Sequence, residues 1–270
     1  MLKIIIITQN EPFFIPKLLQ HLIQHQESDY CIKGITVLNP HRRNKNYLHW
    51  FNERIRIYTL FELLISSFAF LYCKLKNKFN LKSAYSLKSL IKRFELKELK
   101  SDDINNLAYF QPIKEMQIDI ILSISCPQLF KQDLLDSAKY CINAHGTLLP
   151  SHRGVFGSWW TLFVGDRVGG STIHTMELKL DAGQILWQKE FPVEVSDTQY
   201  SIAYKTKRDM SFGIIEVLKK ISNGNFSTIE PRNESSYHQA PTREQGKEFH
   251  KKGYRIITLK DLKLILSKSF

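Results

Sequence analysis

Apolar and polar positions at the start of the chain follow two different periods. Residues Leu2 to Thr8 form a nearly continuous apolar run, LKIIIIT. Such a run is typical of a strand that is buried on both faces of a parallel sheet. Apolar residues at helical spacing follow in PFFIPKLLQHLIQH, and a second strand is predicted from Cys31, in CIKGITVL. A strand, a helix and another strand in this order predict an α/β fold built on a parallel sheet.

The segment from His49 to Leu99 is predicted to be mostly helical, with apolar residues first and basic residues after them. We interpret it as a helical insert, covering about residues 49–99, beside the sheet. A helix that packs one face on the protein is the ordinary explanation, and a surface for a membrane or a partner is the alternative. Its most apolar part, Leu60 to Cys73, is too short to span a bilayer, so no stable membrane insertion is expected.

The pattern after the insert alternates again between helices and strands. A helix is predicted in SDDINNLAYFQPIKEM, a strand from Ile118 in IDIILSIS, a turn and a helix in CPQLFKQDLLDSAKY, and a short strand in CINAHG. Then follow a helix in GVFGSWWTLFVGD and two strands, STIHTMEL and QILWQKEFPV, joined by the loop KLDAG. A long helix is predicted between a cap at Asp197 and a glycine stop at Gly224. This order predicts a mostly parallel, Rossmann-like sheet flanked by helices.

The stretch that begins at about Pro231 is polar and predicts a small C-terminal appendage. We therefore divide the chain into one domain over residues 1–230, which includes the insert, and an appendage over residues 231–270. The first turn after the opening strand, TQNEPFF, lacks the GxGxxG pattern, so a dinucleotide cofactor is not indicated.

Charge and cysteine usage narrow the classes of function. The 270 residues carry 38 basic and 26 acidic side chains, a formal net charge of +12. This surplus suits an anionic partner, and a basic surface without a partner is the alternative. The four cysteines stand far apart without a CxxC pair, which argues against a zinc ribbon or a disulfide framework. With no secretory signal in MLKIIIIT, a cytoplasmic location is expected.

The short strand CINAHG carries the first candidate chemistry. Asn143 and His145 are two positions apart, so an extended backbone points both side chains to one face. Ligands of open parallel sheets bind at the carboxyl ends of the strands. There an amide can stabilise an oxyanion and an imidazole can transfer a proton. The alternative is an ordinary pair of polar residues at the end of a strand.

A carboxylate in the loop KLDAG is the second candidate. Asp181 lies between two predicted strands, where an aspartate is often no more than a turn residue. In the alternative interpretation the loop folds back towards a histidine at a strand end, and the carboxylate influences the protonation of that histidine.

These two elements together resemble one family. INAHGTLLPSHRG is similar to the Asn-x-His-x-Ser-Leu-Leu-Pro-x-x-Arg-Gly motif of the formyltransferases that use 10-formyltetrahydrofolate, and LDAG resembles their later Asp-x-Gly loop. Thr147 stands where serine is usual and keeps the hydroxyl group. The resemblance covers residues 118–224 well and the opening strand in outline. It implies the formyltransferase core as the fold.

The resemblance implies a catalytic role for Asn143, His145 and Asp181. An amine would attack the formyl carbon of the folate, and Asn143 and His145 would stabilise the tetrahedral oxyanion. Asp181 would tune His145 and assist proton transfer from the amine. In this family 10-formyltetrahydrofolate is the formyl donor and no metal is needed.

The resemblance also implies where the folate is held. Pro127, Gln128 and Leu129 match the turn that contacts the pteridine through backbone groups. Leu180 and Ala182 flank Asp181 and match the opposite wall of that site.

Three acceptors compete within the family. Methionyl-tRNA formyltransferases carry a longer C-terminal domain, and glycinamide ribonucleotide formyltransferases carry a glycine-rich phosphate loop that TQNEPFF does not resemble. The third branch formylates nucleotide-linked amino sugars for surface polysaccharides such as O-antigen. This chain resembles that branch most in three segments: SISCPQLF, the basic insert and PTREQGKEFHKKGYR. A nucleotide sugar, rather than a nucleic acid, is the expected partner, and a homodimer stays open. A non-catalytic binding module and a hydrolase on the same scaffold are the remaining alternatives.

Overall fold

The computed structural model describes residues 1–26, 29–40, 51–52, 55–79, 86–267 and 269–270. Six of its strands form one sheet and two short ones form a separate parallel pair. In chain order the strands are β1 (Leu2–Gln9), β2 (Tyr30–Leu38), β3 (Ile120–Ile124), β4 (Tyr140–His145), β5 (Arg153–Gly154), β6 (Val168–Thr175), β7 (Ile185–Pro192) and β8 (Tyr237–His238).

The large sheet has the order β2-β1-β3-β4-β6-β7. The first four strands in this order run parallel, whereas β6 and β7 are added antiparallel at one edge. The predicted Rossmann-like, mostly parallel sheet flanked by helices is confirmed. The parallel strands place their carboxyl ends at one edge of the sheet, which is where a ligand site is expected.

The described helices lie on both faces of this sheet. In chain order they are α1 (Ile15–Gln24), α2 (Leu60–Phe79), α3 (Leu87–Arg93), α4 (Leu107–Glu115), α5 (Gln132–Leu135), α6 (Gly157–Val164), α7 (Gln199–Ser222), α8 (Arg243–Lys251) and α9 (Asp261–Leu266). None of them is long and apolar enough to cross a membrane.

The run of isoleucines in β1 shows why both faces of the sheet are covered. Ile4 and Ile6 lie in a core cluster with residues of α1 and α7, and Ile5 and Ile7 lie in a second cluster with residues of α4. All four are at most 1% exposed. Because successive side chains of a strand point to opposite faces, a strand between two helical layers has to be apolar at every position.

The cap of α7 differs from the prediction at its first residue. Thr198, not Asp197, is the N-cap, and its side chain accepts a hydrogen bond from the backbone N–H of Ser201. Asp197 instead accepts hydrogen bonds from the hydroxyl of Ser201 at 2.7 Å and from the ammonium of Lys205 at 2.6 Å. Gly224 follows the helix with φ of +75° and ends it as predicted.

The predicted helical insert contains α2 and α3, but its last residues are extended. The backbone N–H of Ile35 in β2 donates to the carbonyl of Lys97, and the N–H of Leu99 donates to the carbonyl of Ile35. This segment therefore covers the outer edge of β2, whose backbone groups need partners. Residues 41–50, 53–54 and 80–85 of the insert and its approach lie outside the described residues.

The C-terminal residues are tied to the rest of the fold at several points. β8 pairs with β5, and the ring of Phe249 in α8 stacks on Trp159 of α6 with centroids 4.9 Å apart. The hydroxyl of Thr198 donates to the carboxylate of Asp261 in α9 at 3.0 Å. The division into residues 1–230 and 231–270 stays a prediction, and these contacts show that the second part packs closely on the first.

Candidate active site

The strand β4 carries two polar side chains at its carboxyl end. Asn143 and His145 are two positions apart, and the antiparallel register pairs Asn143 with His174 of β6. The side-chain amide nitrogen of Asn143 lies 3.1 Å from Nε2 of His174. The two-residue spacing in the sequence predicted that Asn143 and His145 share one face of β4. The register of β6 brings His174 next to them.

The hydrogen bonds of His174 fix its tautomer. Its Nδ1 lies 2.7 Å from the carbonyl oxygen of Thr175, so Nδ1 carries the hydrogen and donates. Burial, together with the charge of the neighbouring His145, lowers the pKa of His174 to about 4, although Asp181 opposes this effect. The ring is therefore neutral near pH 7, and its Nε2 accepts one N–H of Asn143. The second N–H of that amide remains for a ligand oxygen.

Asp181 reaches these histidines from the loop between β6 and β7. Its Oδ1 lies 3.7 Å from Nδ1 of His145 and 3.7 Å from Nε2 of His174. Its Oδ2 accepts a hydrogen bond from the backbone N–H of Gly154 at 2.8 Å. The structure thus brings Asn143, His145 and Asp181 together. This arrangement agrees with the i, i+2 spacing of the first two residues and with the interpretation in which the loop folds back towards a histidine.

Gly183 explains how the loop can fold back so closely. A Cβ atom at this position would lie 1.8 Å from the carbonyl oxygen of Thr175, so only glycine fits against the end of β6. Asp181 itself has φ of +49°, in the left-handed region of the backbone. The glycine and the left-handed aspartate of LDAG together deliver the carboxylate to the histidines.

The loop between β4 and α6 contacts the ring nitrogen of His145 that faces away from Asp181. Nε2 of His145 lies 3.1 Å from the carbonyl oxygen of His152, so Nδ1 is the ring atom that faces Asp181. Thr147 donates its hydroxyl hydrogen to the carbonyl of Ser151 at 2.9 Å. Threonine at this position therefore ties the loop to itself through the retained hydroxyl.

Residues near the C-terminus support the same loop. The hydroxyl of Ser236 accepts a hydrogen bond from the backbone N–H of His152 at 2.8 Å. The N–H groups of Arg153 and Val155 donate to the carbonyls of Ser236 and His238. Because this loop presents a carbonyl to His145 and an N–H to Asp181, the strand β8 indirectly positions both side chains.

The predicted folate loop follows β3, and hydrogen bonds of the Gln128 side chain attach it to the preceding segment of the chain. Oε1 of Gln128 accepts the N–H of Ile104 at 3.1 Å, and its Nε2 donates to the carbonyl of Asp102 at 2.7 Å. The side chain of Leu129 is 65% exposed, and Pro127 is half-buried. Since the side chain of Gln128 is committed to the protein, this residue can offer a ligand only its backbone.

The other predicted folate residues flank Asp181. Leu180 and Ala182 are both half-buried in the loop that carries the carboxylate. Their role, and that of residues 127–129, stays a prediction.

A half-buried amine that sequence reasoning missed lies at the carboxyl end of β3. Lys207 of α7 donates to the hydroxyl of Ser125 at 2.7 Å. Burial lowers the pKa of Lys207 to about 8, and the carboxylate of Glu11 opposes this effect. The sequence holds no local signal for Lys207, because one lysine among several on a helix looks like a surface residue. His174 could have been found from the strand alternation in STIHTMEL.

Comparison with known proteins identifies the family. The family model described as formyl transferase matches residues 62–218, more than half of the chain. The chain belongs to the formyl transferase family. Two curated relatives are the methionyl-tRNA formyltransferases of Borreliella afzelii, 35% identical over 146 residues, and of Borrelia garinii subsp. bavariensis, 35% identical over 126 residues. These alignments cover 54% and 46% of this chain but only 45% and 40% of the relatives, so the chain spans less than half their length.

Solved structures share the fold at lower identity. A sugar N-formyltransferase from Shewanella sp. FDAARGOS_354 has a TM-score of 0.58 at 19% identity, covering 88% of this chain and 76% of that one. An N-formyltransferase from Helicobacter canadensis, in complex with folinic acid and dTDP-3-aminofucose, has a TM-score of 0.57 at 17% identity, with coverage of 88% and 71%. A phosphoribosylglycinamide formyltransferase from Anaplasma phagocytophilum has a TM-score of 0.59 at 16% identity, with coverage of 83% and 88%. At these identities the likeness establishes the fold.

Proposed function

We propose that this protein transfers a formyl group from 10-formyltetrahydrofolate to the amine of a nucleotide-linked amino sugar, for surface polysaccharide biosynthesis. The observation that carries the proposal is the convergence of Asn143, His145 and Asp181 at the carboxyl edge of the sheet. Formyl transfer to an amine needs an oxyanion donor and a group that moves a proton, and these side chains supply both.

The folate supplies an activated formyl group on nitrogen. The free N–H of the Asn143 amide donates to the formyl oxygen as negative charge develops there. The imidazole of His145 stands beside it and stabilises the same charge, and Asp181, 3.7 Å from Nδ1 of this ring, balances the charge on the ring and assists removal of the amine proton. A bond forms between the amine nitrogen and the formyl carbon, and the bond from that carbon to the folate nitrogen breaks. The amine loses one proton and the folate nitrogen gains one.

The proposed donor site lies between the loop of Pro127, Gln128 and Leu129 and the loop of Leu180 and Ala182. The anchored side chain of Gln128 supports this assignment, because it holds the backbone of the first loop in place. The exposed side chain of Leu129 offers an apolar surface that suits a flat aromatic ring.

The proposed acceptor is anionic, which fits the formal net charge of +12. The half-buried ammonium of Lys207 at the carboxyl end of β3 is a suitable group to meet a phosphate. The neighbour from Helicobacter canadensis, in complex with folinic acid and dTDP-3-aminofucose, supports the amino sugar as the acceptor. We also propose that the protein forms a homodimer and acts in the cytoplasm.

Methionyl-tRNA is the second candidate acceptor, because the curated relatives named above are methionyl-tRNA formyltransferases. Glycinamide ribonucleotide is a third, supported by the neighbour from Anaplasma phagocytophilum. All three acceptors use the same transfer chemistry at Asn143, His145 and Asp181.

The proposal is tested by incubating the purified protein with 10-formyltetrahydrofolate and three acceptor classes in parallel. These are dTDP-, UDP- and GDP-linked amino sugars, glycinamide ribonucleotide and methionyl-tRNA. We expect a product heavier by one formyl group, detected by mass spectrometry, with an amino sugar. An Asn143→Ala variant is the negative control. Formylation of only the tRNA or the ribonucleotide would reassign the acceptor, and no formylation of any acceptor would refute the transfer activity.

A further inference from the structure

The helix α2 is apolar on two faces, and only one of them is covered by the described fold. Ile65, Ala69 and Cys73 are at most 4% exposed and pack against residues that include Phe13 and Phe14. The second face, about a third of a turn around the helix axis from the first, carries large apolar side chains that stay roughly half exposed or more. They are Phe61 (62%), Leu64 (61%), Phe68 (55%), Leu71 (54%) and Leu75 (47%), which we call the α2 seam.

The spacing of the α2 seam is that of a helix-packing surface. Its members follow each other by three, four, three and four residues. This is the heptad pattern of positions a and d, which interlock with the same positions on another helix. Scattered exposed apolar residues need no explanation, whereas a contiguous stripe of this kind marks an interaction site.

The seam is presented on a firmly held helix. Glu62 near its start accepts hydrogen bonds from the N–H and hydroxyl of Thr59 at 2.8 and 2.9 Å and from the N–H of Ile256 at 2.8 Å. The hydroxyl of Ser66 lies 3.2 Å from that of Tyr200 on α7. Because α2 is fixed to two other parts of the fold, little conformational entropy is lost when the seam is covered.

We propose that the α2 seam is a homodimer interface, in which α2 packs antiparallel against α2 of a second copy of this chain. The size of the seam supports this occupant. Its half-exposed Phe and Leu side chains offer on the order of 600 Å² of apolar surface per copy, given roughly 150–250 Å² for a fully buried aromatic residue. A stable interface needs about 800 Å² per partner, which the flanking residues of α2 can supply.

The distribution of charge selects the antiparallel arrangement. The exposed lysines Lys74, Lys76 and Lys78 all lie in the C-terminal part of α2. A parallel pair would bring the lysines of both copies together, and their repulsion would oppose association. An antiparallel pair places the two lysine clusters at opposite ends, roughly 20 Å or more apart for a helix that rises about 1.5 Å per residue.

The antiparallel arrangement also predicts which side chains meet. Phe68 is the middle member of the seam, with Phe61 seven residues before it and Leu75 seven residues after it. A two-fold axis at Phe68 therefore places this ring against Phe68 of the second copy. Phe61 then lies opposite Leu75 of the second copy, and Leu75 opposite Phe61. This inference does not depend on the proposed formyl transfer.

The first test measures the molar mass by sedimentation equilibrium at protein concentrations from roughly 1 to 100 µM, where mass action reveals a dimer. We expect a dimer for the unaltered protein. Phe68→Glu should raise the dissociation constant about a hundredfold or more, because a carboxylate would be buried without a partner. The matched control is Phe70→Glu, on the same helix and 50% exposed but outside the seam, which should leave the constant unchanged.

The second test uses disulfide formation and does not depend on how Phe68→Glu folds. Phe61→Cys and Leu75→Cys are prepared separately with tags of different mass and oxidised alone and as a mixture. An antiparallel pair predicts a cross-linked product only in the mixture, and a parallel pair predicts cross-linking of each variant alone. The native Cys73 is buried, and the unaltered protein controls for the other cysteines.

A membrane surface is the competing occupant, and vesicles distinguish it. The protein is sedimented with vesicles of phosphatidylglycerol and phosphatidylcholine at low and high salt. We expect no binding that survives high salt. A monomer at every concentration, a dimer that Phe68→Glu does not weaken, or salt-resistant vesicle binding that Phe68→Glu abolishes would each overturn the proposal.

Discussion

The amide of Asn143 donates a hydrogen bond to Nε2 of His174 at 3.1 Å, across the junction between the parallel and the antiparallel part of the sheet. The hydrogen on Nδ1 of His174 goes to the carbonyl of Thr175, which leaves Nε2 as an acceptor. This pair determines which way the amide of Asn143 points. A neutral histidine thus orients the amide, and Oδ1 of Asp181 lies 3.7 Å from the same Nε2 of His174.

The first prediction concerns this pair. Asn143→Ala removes the proposed oxyanion donor and should lower kcat by about 10²–10³-fold, the usual cost of such a loss. His174→Ala keeps the amide of Asn143 but removes the hydrogen bond that orients it, so a smaller decrease in kcat of about tenfold is expected. The measurement is a double-mutant cycle on kcat at saturating substrates.

The double-mutant cycle distinguishes an effect of His174 on the orientation of Asn143 from a separate effect of His174 on the rate. If His174 acts through Asn143, the double variant should be no slower than Asn143→Ala alone. Losses that multiply independently would show that His174 has a separate role. Thermal unfolding of all three variants controls for a loss of folded protein.

The second prediction concerns His145. His145→Asn should keep the fold, because the side chain lies at a strand end, and should lower the rate by about 10²-fold or more, the scale of lost acid–base assistance. The measurement is kcat at saturating donor and acceptor, with circular dichroism as the check on folding. An unchanged kcat would assign His145 a structural role only.

The third prediction concerns Asp181. Asp181→Asn keeps the size and most hydrogen bonds of the side chain but removes the negative charge that faces Nδ1 of His145 at 3.7 Å. Folate affinity should change little, because the predicted folate contacts are mostly backbone groups, whereas kcat should fall by orders of magnitude. Stability should hold or rise slightly, since a charge placed for chemistry is seldom optimal for folding.

Affinity and turnover are to be measured on one sample of Asp181→Asn. A collapse of folate affinity with an undiminished kcat would make Asp181 a binding residue and contradict the proposed mechanism. Glu177→Gln, an exposed carboxylate earlier in the same loop, is the matched control.

The fourth prediction follows from the pKa of Lys207, which burial lowers to about 8. If this ammonium meets the phosphate of the acceptor, the KM for the acceptor should rise as the pH passes above about 8, because the charge is lost. Lys207→Met should raise the acceptor KM near pH 7 and abolish this rise. Lys219→Met, at an exposed position of the same helix, is the control. An identical pH profile for Lys207→Met would contradict the assignment.

The same group makes a prediction for stability. The pKa of Lys207 is lower in the folded protein than its usual value of 10.5, so the unfolded chain binds more protons between pH 8 and 10.5. The contribution of Lys207 to the free energy of unfolding should therefore rise with pH across this window. Denaturant titrations of the unaltered protein and of Lys207→Met should differ in this slope.

Several features were predictable because they depend on local periodicity. Four consecutive isoleucines in β1 predicted a strand covered on both faces, since a two-residue period sends neighbours to opposite helical layers. The same period placed Asn143 and His145 on one face of β4. Gly224 ended α7 because its left-handed φ costs a glycine nothing.

Other features depend on contacts between distant parts of the chain, which no local pattern encodes. The partner of Asn143 is set by the antiparallel register of β6, and the position of Asp181 by the close approach of Gly183 to Thr175. The extended residues that cover the edge of β2 were predicted as helix, because the open hydrogen-bonding groups that attract them belong to another segment.

The sequence by itself therefore determined the class of fold, the family motif and the two side chains of β4, because each is written in spacing along one segment. The tertiary structure alone decided that His174 orients the amide of Asn143, that β8 supports the loop around His145, and that the ammonium of Lys207 donates to Ser125. It also decided which apolar face of α2 is covered and which is exposed. The physical reason is that register, burial and desolvation arise only when separate elements pack together.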